Sequence, residues 1–124
     1  MFINTLSSFL EKLASKEELD EWYLSTFIDE NVYSLLPAEA FEVSSHVIKL
    51  LKDEAQSDCA YELLTILLAL QHQSDTTQVP EILKNSPNFF DEIIKKNPEK
   101  YILNLAHELA QIYLIKIKLV KSCS

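Results

Sequence analysis

Apolar residues recur along the chain at the three- and four-residue spacing of an amphipathic α-helix. Near the start, Leu6, Phe9, Leu10 and Leu13 fall on one helical face. The stretch from Cys59 to Leu70 is apolar over most of its circumference, which is typical of a helix buried on several sides. The other helical patterns carry Leu19, Trp22, Tyr23 and Phe27; Phe41, Val47, Ile48, Leu50 and Leu51; Phe89, Phe90, Ile93 and Ile94; and Ile102, Leu105, Leu109, Ile112 and Tyr113.

Polar residues and prolines predict where these helices begin and end. Ser15 and Glu18 match a capping box, and Pro37 suits the first turn of a helix. Residues 31–36 and 71–78 are expected to be connections, and a short helical turn is expected after Pro80. Cap residues are predicted at Ser57 or Asp58, at Ser86 before Pro87, and at Asn97 before Pro98.

The pattern predicts an all-α fold in a single domain covering residues 1–124. We expect five to six helices joined by short linkers and packed as antiparallel hairpins. From Pro37 onward this order also suits a stack of hairpins of the HEAT or armadillo kind, although no repeat period is clear. The alternation from Ile115 to Leu119 would suit either a strand or a helix. We expect a helix there.

Composition excludes several classes of function. The chain has no glycine, and most phosphate loops, dinucleotide turns and nucleophile elbows need that residue. All eleven basic residues are lysine and the net charge is −8, which argues against nucleic acid as a partner. Two cysteines do not suggest a disulfide framework. No segment resembles a signal peptide or a membrane span, so a cytoplasmic location and no membrane partner are predicted.

The sequence contains no convincing catalytic or metal-binding motif. His107 and Glu108 begin a zinc-protease-like pattern, but Gln111 occupies the position of the second histidine ligand. Glu42 and His46 are four residues apart, and no second pair completes a site. Cys59 is expected to be a structural cysteine. We therefore predict a protein that is not an enzyme, with no metal and no cofactor.

Acidic residues are concentrated in the first half of the chain. Residues 1–62 contain thirteen acidic residues and four lysines, a net charge of −9, whereas residues 63–124 contain six acidic residues and seven lysines, a net charge of +1. Carboxylates with embedded aromatic residues are typical of a surface that binds a basic protein. Solubility alone would also account for such charge. The predicted partner-binding residues are Glu17, Glu18, Asp20, Glu21, Tyr23, Asp29, Glu30, Tyr33, Glu39 and Glu42.

Three segments resemble small all-helical immunity proteins of bacterial contact-dependent growth inhibition and polymorphic-toxin systems. These are residues 22–36 leading to Pro37, residues 57–64 (Ser-Asp-Cys-Ala-Tyr-Glu-Leu-Leu), and residues 75–80 (Asp-Thr-Thr-Gln-Val-Pro). The likeness covers about half the chain. It lies in the order of these segments and in their amino-acid composition.

The resemblance implies a protein that binds the C-terminal domain of a cognate toxin inside the producing cell. Many such toxins are nucleases with basic clefts, so the acidic face would occlude the toxin's active site. No residue role is carried over from the family. The alternative is a helical adaptor that binds a protein partner through an apolar groove.

Overall fold

A computed structural model of the chain describes residues 2–14, 23–54, 60–75, 78–86, 88–96 and 99–113. In these ranges the regular elements are all helices, and the all-α prediction is confirmed. They are α1 (Phe2–Ala14), α2 (Tyr23–Phe27), α3 (Pro37–Glu54), α4 (Ala60–Ser74), α5 (Glu81–Lys84), α6 (Phe89–Lys96) and α7 (Lys100–Ile112), and a π-helical segment, Ile28–Val32, continues α2. The described ranges contain seven α-helices against the five to six expected, and two of them, α2 and α5, have only five and four residues.

Helix α4 is the most deeply buried of these elements. Leu63, Leu64 and Leu67 have no exposed surface, as the apolar circumference of this segment predicts. The predicted loop from residue 71 was wrong in part, because α4 continues to Ser74. Gln71 and Ser74 are both buried, and the Ser74 hydroxyl donates to the Gln71 carbonyl at 2.7 Å. A local hydrogen bond thus allows a polar residue to stay in the helix.

Helices α3 and α4 form an antiparallel hairpin. The side chain of Gln73, near the end of α4, donates to the carbonyl oxygen of Leu35, which precedes α3. The end of one helix therefore lies beside the start of the other. Ala40, Val47 and Ile48 of α3 are fully buried. This confirms the predicted hairpin packing at the centre of the chain, and Pro37 is the first residue of α3, as predicted.

A second pair of helices packs beside this hairpin. Helix α7 contacts α4, α6 contacts both α3 and α7, and α5 contacts α3. Phe90, Ile93, Ile102 and Leu109 point their side chains into the shared core. Stacked helical hairpins would give this arrangement, in which α6 and α7 pack on α3 and α4. The likeness to HEAT or armadillo folds stays a prediction.

The N-terminal helices close the other side of the core. Leu6 of α1 is buried, and the Phe9 ring stacks on that of Phe27 with centroids 4.4 Å apart. Buried apolar side chains from all the described helices form one cluster.

The remaining local predictions fall near element ends. The predicted connection at residues 31–36 is shorter, because residues 31 and 32 belong to the π-helical segment. Helix α6 begins at Phe89, two residues after Pro87. The Ser15 capping box, the cap at Ser57 or Asp58, the Asn97-Pro98 start and the segment from Ile115 to Leu119 lie outside the described residues.

Candidate partner-binding surface

Six of the ten predicted partner-binding residues fall within the described part of the chain. Tyr23 lies in α2, Asp29 and Glu30 in the π-helical segment, Tyr33 in the following turn, and Glu39 and Glu42 in the first two turns of α3. Glu17, Glu18, Asp20 and Glu21 lie outside the described residues.

Tyr23 is half-buried and connects two helices. Its hydroxyl donates to the Glu62 Oε2 atom at 2.7 Å, and its ring stacks on Phe9 with centroids 5.9 Å apart. The Glu62 Oε1 atom is buried and has no hydrogen-bond partner. The Tyr23 hydroxyl therefore supplies the hydrogen bond that this carboxylate does make, which is a structural role. Binding of a partner by Tyr23 stays a prediction.

The π-helical segment exposes Asp29 and Glu30 while its apolar residues turn inward. Ile28 and Val32 are buried, and the Asn31 side-chain amide donates to the Phe27 carbonyl at 2.9 Å. Single π-helical turns occur often at functional sites, where they displace side chains from the regular helical positions. Periodicity in the sequence gave no sign of this turn.

The turn between the π-helical segment and α3 exposes two large apolar side chains. Tyr33 is 55% exposed and Leu36 is 66% exposed. The backbone that carries them is held by hydrogen bonds from Gln73 to the Leu35 carbonyl at 2.6 Å and from the Leu35 amide to the Val32 carbonyl at 3.0 Å. Two exposed apolar residues thus lie on a well-fixed turn.

Carboxylates follow immediately at the start of α3. Glu39 and Glu42 are exposed, and the Glu39 Oε1 atom accepts from the backbone amide of Leu36 at 2.9 Å. This is the half of a capping box in which an acidic residue in the first turn reaches back to the residue before the helix. Glu39 also lies where the helix dipole favours negative charge. The negative charge of Glu39 therefore stabilises helix α3, whether or not it also binds a partner.

We define the acidic surface as the six exposed residues Asp29, Glu30, Tyr33, Leu36, Glu39 and Glu42. No lysine occurs in the sequence between Lys16 and Lys49. The sign changes along the exposed side of α3, where Lys49 and Lys52 follow. In the order of the sequence, this surface has two large apolar residues between two pairs of carboxylates.

Leu36 was not among the residues predicted from the sequence. An apolar residue directly before a helix-initiating proline is equally common in a core, so the sequence carries no signal for its exposure. Its exposure follows from the turn that Gln73 holds at the Leu35 carbonyl.

The residues considered for catalysis do not come together. His107 and Glu108 are exposed on α7, whereas Glu42 and His46 are exposed on α3. Among the described residues, no group of three or more histidine, cysteine, aspartate and glutamate side chains could hold a metal ion. Cys59 lies outside the described residues. The prediction that the chain is not an enzyme stays a prediction.

Two other surface features lie away from the acidic surface. Tyr61 of α4 and Tyr101 of α7 are both exposed and meet edge to face with ring centroids 5.3 Å apart. A cavity of about 320 Å³ lies between α3 and α6, where the Lys52 ammonium donates to the Ser86 hydroxyl at 3.0 Å. Of the helices in the described part of the chain, none combines the length and apolar character that a membrane span needs.

Comparison with known proteins found no relative of this chain. No family model, no curated protein and no solved structure matches the chain.

Proposed function

We propose that this chain is an immunity protein that binds a basic toxin domain, a nuclease, and neutralises it by covering its active-site cleft. The observation that supports this most directly is the exposure of Tyr33 and Leu36 between carboxylates on a fixed turn. Interfaces typically have an apolar or aromatic centre with a polar rim, and tyrosine is enriched among the residues that dominate binding energy.

Charge supports a basic partner. Asp29 and Glu30 precede the two apolar residues, Glu39 and Glu42 follow them, and lysine is absent from this part of the sequence. Opposite charge on the partner would speed association and select against acidic proteins. In a nuclease, the carboxylates would occupy the basic cleft that otherwise holds phosphate groups.

Rigidity supports binding without rearrangement. Gln73 and Glu39 each hold the backbone of the turn, so the apolar centre is ordered before the partner arrives. A surface ordered in advance loses less conformational entropy on binding.

The first experiment is co-purification with the product of the neighbouring upstream gene. A one-to-one complex and loss of that product's toxicity on co-expression are the expected results. If the two proteins do not associate and co-expression gives no protection, immunity against that gene product is wrong.

The acidic surface is tested with matched variants. Tyr33→Ala should weaken binding by about thirtyfold or more, since truncating an aromatic residue that dominates an interface costs about 2 kcal/mol or more. Asp29→Lys and Glu42→Lys should slow association and reduce its dependence on salt. Glu108→Lys changes an equally exposed carboxylate on α7 and is the matched control. Equal effects of the reversals at positions 29, 42 and 108 would show that only net charge matters.

The alternative function is a helical adaptor that binds a partner through an apolar groove. The cavity between α3 and α6 has buried Leu51, Phe89 and Ile93 among its lining residues, with Lys52 and Lys96 beside them. Such an adaptor would bind its partner equally well after Tyr33→Ala and would lose binding when this cavity is filled.

A further inference from the structure

A groove between α1 and α2 opens next to the acidic surface. Thr5, Ser8 and Phe9 line it on the α1 side. Their spacing of three and four residues places them on one face of that helix. The volume of the groove is about 280 Å³, and it is open to solvent along one side.

The opposite wall is one face of α2 and of the π-helical segment. It consists of Tyr23, Thr26, Phe27, Glu30 and Asn31. Apolar character comes from the stacked rings of Phe9 and Phe27. The wall is therefore apolar at its base and polar toward the π-helical end.

Glu30 is the one charged residue among the described residues that line the groove. Glu30 is exposed to solvent. Among the described residues that line the groove, none is a lysine. The Asn31 side-chain nitrogen donates one of its two N–H groups to the Phe27 carbonyl, and the amide oxygen is a hydrogen-bond acceptor.

We propose that this groove binds an arginine side chain of the protein partner, with its methylene stem against Phe9 and its guanidinium group at Glu30. An arginine has an apolar stem and a planar cationic end, which match an aromatic base and a carboxylate at one end. Its guanidinium also stacks favourably on aromatic rings. This inference rests on the proposed function for the partner's identity, and the groove itself can be tested without that partner.

The probe is N-acetyl-arginine methylamide, followed by backbone amide chemical shifts as the probe is added. N-acetyl-citrulline methylamide has nearly the same shape without the charge and is the control ligand. We expect the arginine probe to shift amides of Thr5, Ser8, Glu30 and Asn31, and the citrulline probe to shift them far less.

Variants separate the groove from general attraction to acidic residues. Glu30→Gln should weaken the arginine probe about two- to fivefold, the range expected from a single exposed ion pair. Glu108→Gln removes an exposed carboxylate on α7, outside both the groove and the acidic surface, and should leave binding of the arginine probe unchanged. Thr26→Phe should obstruct the groove from an exposed position, and unchanged thermal unfolding would show that this variant folds.

The outcomes distinguish the two proposals. Shifts that are equal for both probes, spread over all the carboxylates, or insensitive to Glu30→Gln and Thr26→Phe would overturn the arginine site. If the cognate toxin binds normally to both variants, the site is wrong and the immunity function stands. If the arginine probe binds as expected while no toxin is neutralised, the site stands and the immunity function fails.

Discussion

The side-chain amide of Gln73 lies 2.6 Å from the carbonyl oxygen of Leu35 and joins the end of α4 to the turn before α3. A second, longer contact of 3.5 Å joins the same amide to the carbonyl oxygen of Tyr33. One side chain thus holds the segment that exposes Tyr33 and Leu36. The exposed apolar centre of the acidic surface depends on a residue 38 positions further along the chain.

Gln73→Leu tests this connection. The variant should lower the free energy of unfolding by about 1 kcal/mol, because the Leu35 carbonyl loses its hydrogen-bond partner. Chemical denaturation measures the loss, and faster hydrogen exchange of the turn amides would locate it. Gln111→Leu, at an exposed position on α7, should change stability by less than about 0.5 kcal/mol. Equal effects at positions 73 and 111 would contradict a special role for Gln73.

The hydrogen bond between Tyr23 and Glu62 gives a second prediction. Tyr23→Phe leaves the partly buried Glu62 carboxylate without this donor and should cost about 1–3 kcal/mol in the free energy of unfolding. Adding Glu62→Leu to Tyr23→Phe should recover part of that loss, since no unpaired carboxylate would remain. Urea denaturation of the two single variants and the double variant gives the coupling. Additive losses would show that the hydrogen bond does not stabilise the fold.

Tyr113 predicts a loss of stability at high pH. Burial raises the pKa of its phenol from 10.0 to about 12. Because the folded pKa exceeds the unfolded one, the folded chain retains a proton that the unfolded chain releases between these values. The Tyr113 phenol therefore makes its full contribution to the free energy of unfolding below pH 10. As the pH rises toward 12 that contribution is lost, about 2–3 kcal/mol in all.

Tyr113→Phe should flatten this part of the dependence of unfolding free energy on pH. Tyr101→Phe is the control, because Tyr101 is 52% exposed. Phenolate absorbance should also lose its most alkaline transition in the Tyr113 variant alone. A transition that persists in that variant would assign the raised pKa to another group.

Asp75 ends α4 in a left-handed backbone conformation, with φ of 54°. Glycine usually fills such positions, and the chain has none. Asp75→Val should destabilise the protein by about 1–2 kcal/mol, because a β-branched residue fits this conformation poorly. Asp75→Gly should leave the unfolding temperature unchanged or raise it. A lower unfolding temperature for Asp75→Gly than for Asp75→Val would contradict this explanation.

Much of the fold could be predicted because helical periodicity is local. The spacing of leucines in α4 and of Ile102, Leu109 and Tyr113 near the end of the described chain predicts which side chains are buried. Prediction failed at Gln71 and Ser74, where polar side chains are buried within a helix. The Ser74 hydroxyl donates to the Gln71 carbonyl within α4, which allows a polar side chain to be buried there. Polar residues in the sequence therefore did not mark the end of this helix.

The sequence by itself determined the helical class, the apolar character of α4 and the concentration of carboxylates in the first half of the chain. Only the tertiary structure decided that Tyr23 is half-buried, that Leu36 and Tyr33 are exposed, and that Glu30 lines a groove with Phe9. Helix formation depends on neighbours three or four residues apart. Exposure of the acidic surface depends on contacts between residues far apart in the sequence. Tyr23 and Glu62 are 39 positions apart, and Gln73 and Leu35 are 38 positions apart.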